Sequence, residues 1–333
     1  MKKTTVGLVI LLLGGGAAVV ADEPCSSCHE VGHVRWMESL HSRSAEDPLY
    51  LGMREWARNE AGDQVAGLCI HCHTVAVKGS DERTPSVDCA ACHQGVAVGD
   101  GPQGWRVDRT QPVLSSGSSP AALHPLAVSA ELASGAQCLV CHAELLNPRG
   151  VPLCTTGDEW QTASADLSCL SCHMSDAGHR FPGTTSGMLE GAALLEIELH
   201  GESALVTVVN HGTGHALPTG SPLRQIHLEV RFLDRAGEEV GRHREVFARF
   251  LADAEGNFPV PPWRAVTVHR DSRLKPQERR RFELPVPEST HEVTARLVYH
   301  RAPAKIAEKL ALADDPLLVP VEMVRHSKSR RDG

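Results

Sequence analysis

The stretch from Cys69 to His93 constrains this chain more than any other. It reads Cys69-Ile70-His71-Cys72-His73, then fifteen residues, then Cys89-Ala90-Ala91-Cys92-His93. Two cysteines separated by two residues can each add a thiol across one vinyl group of a single porphyrin. The histidine that follows at once stands where its imidazole meets the iron. The same pattern recurs at Cys25-Ser26-Ser27-Cys28-His29, Cys138-Leu139-Val140-Cys141-His142 and Cys169-Leu170-Ser171-Cys172-His173. Five copies imply five covalently attached haem c groups.

Cys-x-x-Cys alone is ambiguous, because zinc ribbons and thioredoxin-like redox pairs share the spacing. Neither a zinc site nor a disulfide framework explains why a histidine follows every pair, and disulfide frameworks belong to chains far shorter than 333 residues. Ten of the eleven cysteines are used in this way. Cys154 is left over and reads as a buried free thiol.

The amino terminus carries Lys2-Lys3, an apolar run from Val6 to Leu13 and small residues ending Val19-Val20-Ala21. That is a secretory signal peptide whose apolar core is too short to span a bilayer. Export to the periplasm, or to another extracytoplasmic compartment, fits covalent haem attachment. No later stretch is apolar enough for a transmembrane helix. Aromatic residues make up only 4% of the chain, a small supply for a core of this size, and porphyrin plates would fill the shortfall. The formal charge of −8 argues against nucleic acid as a partner.

The expected organisation is α+β and multidomain: a signal peptide over 1–21, a pentahaem cytochrome c domain over 22–187, an antiparallel β-sandwich over 188–325 and a loose basic tail over 326–333. Short helices and long loops should carry the haems, with Thr110 to Pro120 as a flexible Ser-rich connection. From Leu195 onward, alternating runs such as Ile226-Leu228-Val230-Phe232 and Val293-Ala295-Leu297-Tyr299 read as strands. The motif pair at Cys69 and Cys89 should bring two porphyrins nearly into contact.

Each iron already ligated by His29, His73, His93, His142 or His173 needs a sixth ligand or has an open position. Fourteen histidines remain, so bis-His ligation is the default. His41 follows Trp36-Met37-Glu38-Ser39-Leu40, expected to be helical; His124 precedes Pro125; His179 follows the last motif by six residues. Those three are the leading distal candidates, joined by His215 in the loop Asn210-His211-Gly212-Thr213-Gly214-His215, where glycines allow close approach to a flat ligand. His33 and His71 read as solvated, and the histidines of the strand region, His227 and His300 among them, as surface positions.

Cys25-x-x-Cys28-His29, Trp36-x-x-Ser39-x-His41, the close motif pair and Cys169-x-x-Cys172-His173-Met174 followed by His179-Arg-Phe-Pro-Gly183 together resemble multihaem c-type cytochromes related to the tetrahaem electron acceptor of hydroxylamine oxidoreductase. The resemblance implies a distal role for His41. It also implies an appended β domain, matched at Gly214-His215-x-x-Pro218-Thr219-Gly220 and Asp271-Ser272-Arg273-Leu274-x-Pro276-x-Glu278. The chain departs from that pattern in having five motifs rather than four, and in continuing Gln94-Gly95 after the third.

The function expected is electron relay between redox-partner proteins, other cytochromes or a membrane-bound donor. Two alternatives stand beside it: an oxidoreductase acting on a small nitrogen or sulfur compound at one open haem, and a structural subunit of a larger cytochrome assembly. Mass spectrometry of the mature secreted chain should find about five added porphyrins, one per motif; fewer than about four would overturn the reading.

Overall fold

The computed structural model describes residues 25–120, 122–163, 168–176 and 178–330. The expected signal peptide and the last three residues of the expected tail lie outside the described residues. No described helix is long and apolar enough to cross a membrane.

In the first half the motifs sit on helical turns. Cys25–Ser27 is a single 3-10 turn, and Ile70–His73, Cys89–His93, Leu139–His142 and Cys169–His173 are helices of four or five residues. One turn is what the motif requires, because positions i, i+3 and i+4 share a helix face and so aim both sulfurs and the imidazole alike. Local capping sets two of these turns: Asp88 Oδ1 accepts the Ala91 N–H at 2.9 Å, and Ser168 Oγ accepts that of Leu170 at 3.2 Å. The longest of the described helices, Pro48–Ala61, is punctuated by its sequence. Asp47 caps it, Pro48 opens it and Gly62 closes it with φ of 86°.

Sheet is sparse in this half. β1 (Ala76–Val77), β2 (Gly95–Ala97) and β3 (Trp105–Val107) form a small sheet in the order β1-β3-β2. The Gln94-Gly95 departure has a steric reason: a Cβ on Gly95 would lie 2.2 Å from the Trp105 ring, whose Nε1–H donates to Ala91 O. β4 (Val113–Ser115) pairs in parallel with β5 (Leu126–Val128), and β6 (Glu144–Leu146) pairs with β7 (Pro152–Thr155). The first part of the expected Ser-rich connection is held in this pairing, since Val113 N–H bonds Pro125 O and Ser129 N–H bonds Ser115 O, while Ser116 to Pro120 is exposed.

From Ala193 the chain builds two antiparallel sheets. β8 (Ala193–His200), β9 (Ser203–Asn210) and β14 (Arg279–Pro285) make one, in the order β14-β9-β8. β10 (Gln225–Leu233), β11 (Glu239–Phe247), β15 (Glu292–His300) and β16 (Val321–Ser329) make the other, in the order β11-β10-β15-β16. β12 (Arg249–Ala252) pairs separately with β13 (Thr267–Asp271). Alternation decides the inner faces: Ile226, Leu228, Val230 and Phe232 point in with Ala204, Val206, Val208, Val293, Ala295 and Leu297. Each such large aliphatic chain contributes about 1.5–3 kcal/mol on full burial.

Two expectations for this half are corrected. The residues from His326 to Ser329 are not loose but continue β16, with His326 opposite Ala295 and Ser329 opposite Glu292, because pairing satisfies their backbone groups. His227 is not a surface position. It is 6% exposed, with its Nε2 bonded to Gln225 Oε1 and its Nδ1 accepting from Arg244, and its ring centre lies 3.9 Å from that of His300.

The halves differ in how they are held. The sandwich core joins twenty-two buried residues, whereas Val75, Ala91 and Val107 form the one such cluster confined to the described motif-bearing half. Contacts between the halves are both apolar, as where Val151 packs with Leu251 and Ala265, and polar. Asn147 Nδ2 donates to Pro262 O and Ala265 O at 2.9 and 2.8 Å, the buried Asp47 pairs with Arg301, and Leu310 covers Gly52. Gly95→Ala should displace Trp105 and cost about 1–3 kcal/mol, read as a lower thermal unfolding midpoint of the holoprotein; an unchanged midpoint would contradict this packing.

Candidate functional site

The turn after the first helix, Glu30–Met37, braces three motifs at once. Trp36 Nε1–H donates to Val87 O at 3.0 Å, just ahead of the Cys89 motif. Ser39, 2% exposed, donates to Trp36 O and accepts from Ser42 N–H, which folds the chain back so that His41 stands in a turn rather than in the expected helix. Ser44 Oγ donates to His73 O and accepts from Val87 N–H, linking the second motif to the third. His41 is thereby presented toward the fourth motif.

Four imidazole pairs result. Ring centres are 6.1 Å apart for His29 and His124, 6.2 Å for His41 and His142, 6.1 Å for His93 and His179, and 6.4 Å for His173 and His215. Two imidazoles on opposite sides of one metal, each about 2 Å from it by nitrogen and with ring centres about 1 Å further back, would stand about 6 Å apart. The spacing fits haem iron. So does the hydrogen bonding: Nδ1 lies on Ser44 O in His73 (2.5 Å), on Leu114 O in His93 (2.8 Å), on Pro182 O in His173 (2.7 Å) and on Ala216 O in His215 (3.0 Å). A carbonyl on Nδ1 keeps the proton there and leaves Nε2 free for metal.

Electrostatics agree with neutral, ligand-ready rings. Burial, foremost, pushes His41 and His142 down to about 4. Burial likewise lowers His179 and His215. Phe181 binds two pairs together, its ring edge-on to His41 at 4.8 Å and to His179 at 5.8 Å. It holds φ of 44°, a conformation that costs a non-glycine residue about 1–3 kcal/mol and persists where packing dictates it.

His73 is the exception. Its ring stacks on Tyr50 with centres 3.8 Å apart, and among the described residues no second imidazole stands opposite it. Near it, Arg54 Nε and His71 Nδ1 are buried without hydrogen-bond partners, so His71 is not simply solvated as expected. His33 instead packs on Trp36, with ring centres 5.6 Å apart.

The cysteine sulfurs show how the motifs adjoin. Cys25 meets Cys89, Cys72 meets Cys141, and Cys138 meets Cys169. Gln137 Nε2–H adds a bond to Cys92 O at 2.7 Å. The sulfur contacts thus join the first motif to the third, the second to the fourth and the fourth to the fifth. Cys154 is buried, with its sulfur 3.4 Å from Thr156 Oγ1.

The loop carrying His215 is fixed from both sides. Asn210, fully buried, donates to His215 O at 2.9 Å and to Leu274 O at 3.1 Å, and Thr213 Oγ1 also donates to His215 O at 2.7 Å. Glu159 accepts the Ala216 N–H at 3.1 Å and the Thr219 hydroxyl at 2.6 Å. Burial works against the Glu159 charge, but Arg273 and the Thr155 and Thr219 hydroxyls hold its carboxyl below the usual range. Gly212 serves backbone packing rather than a flat ligand: a Cβ there would lie 2.1 Å from Gly191 O. His211 stays exposed.

The sequence assigns no site role to Tyr50, Ser44, Glu159 or Asn210. Only Glu159 carried a signal, as an acidic residue in the first turn of the helix Thr156–Ala163, and a helix start explained it without reference to a site.

Five Cys-x-x-Cys-His motifs, four of them with a second imidazole at the spacing of two ligands on one metal, define a multihaem c-type cytochrome. The comparisons agree. The family model for cytochrome c554 and c-prime matches residues 24–95, which span the first three motifs. Among solved structures the chain is similar to a penta-haem cytochrome c552 from Thermochromatium tepidum, at 25% identity and a TM-score of 0.78, over 92% of this chain and 97% of that one. No curated protein matches.

Asn210→Ala would remove one hydrogen bond each from His215 O and Leu274 O, which keep Thr213 Oγ1 and the Leu217 N–H as donors, at a cost of about 0.5–1.5 kcal/mol per bond. The expected outcome is a less stable C-terminal half, read as faster proteolysis of that half; unaltered resistance would show that the loop is held without Asn210.

Proposed function

We propose that this chain is an extracytoplasmic pentahaem cytochrome that relays electrons between redox-partner proteins through closely packed haems. The observation that carries this reading is the set of four imidazole pairs at 6.1–6.4 Å. In it, Cys25 and Cys28, Cys69 and Cys72, Cys89 and Cys92, Cys138 and Cys141, and Cys169 and Cys172 each hold one haem. His29 with His124, His41 with His142, His93 with His179 and His173 with His215 are the axial pairs, and His73 ligates the second haem from one side.

Bound haem supplies reversible one-electron chemistry; the protein fixes spacing and potential. Bis-His ligation gives low potentials and leaves no iron position for substrate, which suits a relay. The sulfur contacts suggest a path from the first haem to the third, on to the fourth through the Gln137 contact and then to the fifth, with the second joined at the fourth. The signal peptide supports a periplasmic or similar setting, with another cytochrome or a membrane-bound donor as partner. The resemblance to the electron acceptor of hydroxylamine oxidoreductase supports the same role.

A second reading, oxidation or reduction of a small nitrogen or sulfur compound, is favoured at one haem by the missing imidazole opposite His73. Electron paramagnetic resonance of the oxidised holoprotein should show about four low-spin haems for one high-spin haem, and cyanide or nitric oxide should shift the high-spin signal alone. Five low-spin haems would remove the second reading. Several high-spin haems would remove the pairing on which the first depends.

A further inference from the structure

We infer that Glu159 is the positioning residue for the His215 imidazole, and so decides whether the fifth haem keeps its sixth ligand. The inference rests on the proposed ligation by His215. The peptide unit joining His215 to Ala216 is gripped at both ends. Its carbonyl takes hydrogen bonds from Asn210 Nδ2 and Thr213 Oγ1, both within the β half. Its N–H goes to Glu159 Oε2, and Glu159 stands on a helix of the motif-bearing half. Of the three grips, Glu159 alone ties the imidazole to the part of the chain that holds the iron.

The side chain is built for that task. It is 12% exposed, and Oε2 also takes the Thr219 hydroxyl at 2.6 Å. Oε1 accepts from Thr155 Oγ1 and from Arg273 Nη1, both at 2.6 Å. Arg273, 9% exposed, is in turn held by Asp271 from two nitrogens at 2.8 Å, and Asp271 also takes Arg249 Nε at 3.1 Å. A buried carboxylate with this many donors has one available orientation, and the imidazole inherits it through a single peptide plane. Its negative charge also favours the ferric form of a nearby haem.

Spectroscopy of purified holoprotein variants tests this without an activity assay. Glu159→Ala should gain one further high-spin ferric haem, which added imidazole returns to low spin; His215→Ala should gain the same signal, and the double variant no more. Glu159→Gln keeps an acceptor for the Ala216 N–H and should stay low-spin, while the midpoint potential of one haem rises. Asn147→Ala removes a contact between the halves that does not involve Glu159 and should keep the wild-type spin count. A high-spin gain in Asn147→Ala would mean general loosening and overturn the inference. So would a wild-type spectrum in Glu159→Ala beside a changed one in His215→Ala. A wild-type spectrum in His215→Ala would instead remove the underlying ligand assignment.

Discussion

An imidazole offers a metal one nitrogen, and the partner of its other nitrogen settles which. In this chain the Nδ1 protons of His73, His93, His173 and His215 go to backbone carbonyls, so the remaining nitrogen of each ring is aimed before any metal arrives. Those carbonyls belong to Ser44, Leu114, Pro182 and Ala216, in turns and short strands whose position depends on several distant contacts. The irregular course of the first half, with its one-turn helices and two-stranded pieces, follows from the need to bring such carbonyls to the right places.

The two halves solve the packing problem differently. The sandwich buries a continuous aliphatic core and would be recognisable as a stable unit on that ground alone. The motif-bearing half has little comparable core among its described residues, and leaves Val31, Val34 and Met37 beside the first motif half or more exposed. Porphyrin plates in that half would supply the missing apolar surface. The sandwich meanwhile anchors the helix Pro48–Ala61, through Arg301 on Asp47 and Leu310 on Gly52, and that helix carries the Tyr50 ring against His73. The β half therefore supports the second motif through that helix.

Much of this could be read from sequence because the signals are local. Cys-x-x-Cys-His is complete within five residues, and strand alternation at Ile226 to Phe232 or Val293 to Tyr299 needs no knowledge of the partner strand. His41, His124, His179 and His215 stood out by their neighbours, yet which ring each faces was not readable: His124 precedes the fourth motif but stands opposite His29 of the first. Carbonyl acceptors such as Leu114 O are invisible in principle, since every residue has one. Tyr50 and Ser44 lie on ordinary helix and turn pattern, and only the fold sets them on His73. Ser44 joins the second motif to the third, through His73 O and the Val87 N–H, and that link too has no signature in the sequence.

The ring pairs also interleave along the chain. His29 reaches to His124, His41 to His142 and His93 to His179, so each of these three spans begins before the previous one ends. With an iron at each crossing, the spans act as overlapping braces. Scission of the backbone anywhere between His93 and His124 would fall inside all three, and the fragments would stay bridged at three metal centres. Fraying from the carboxyl end would free only the crossing between His173 and His215, leaving the remainder braced. Under the proposed ligation, resistance to nicking would follow from the interleaving itself, independent of how firmly any one loop is packed.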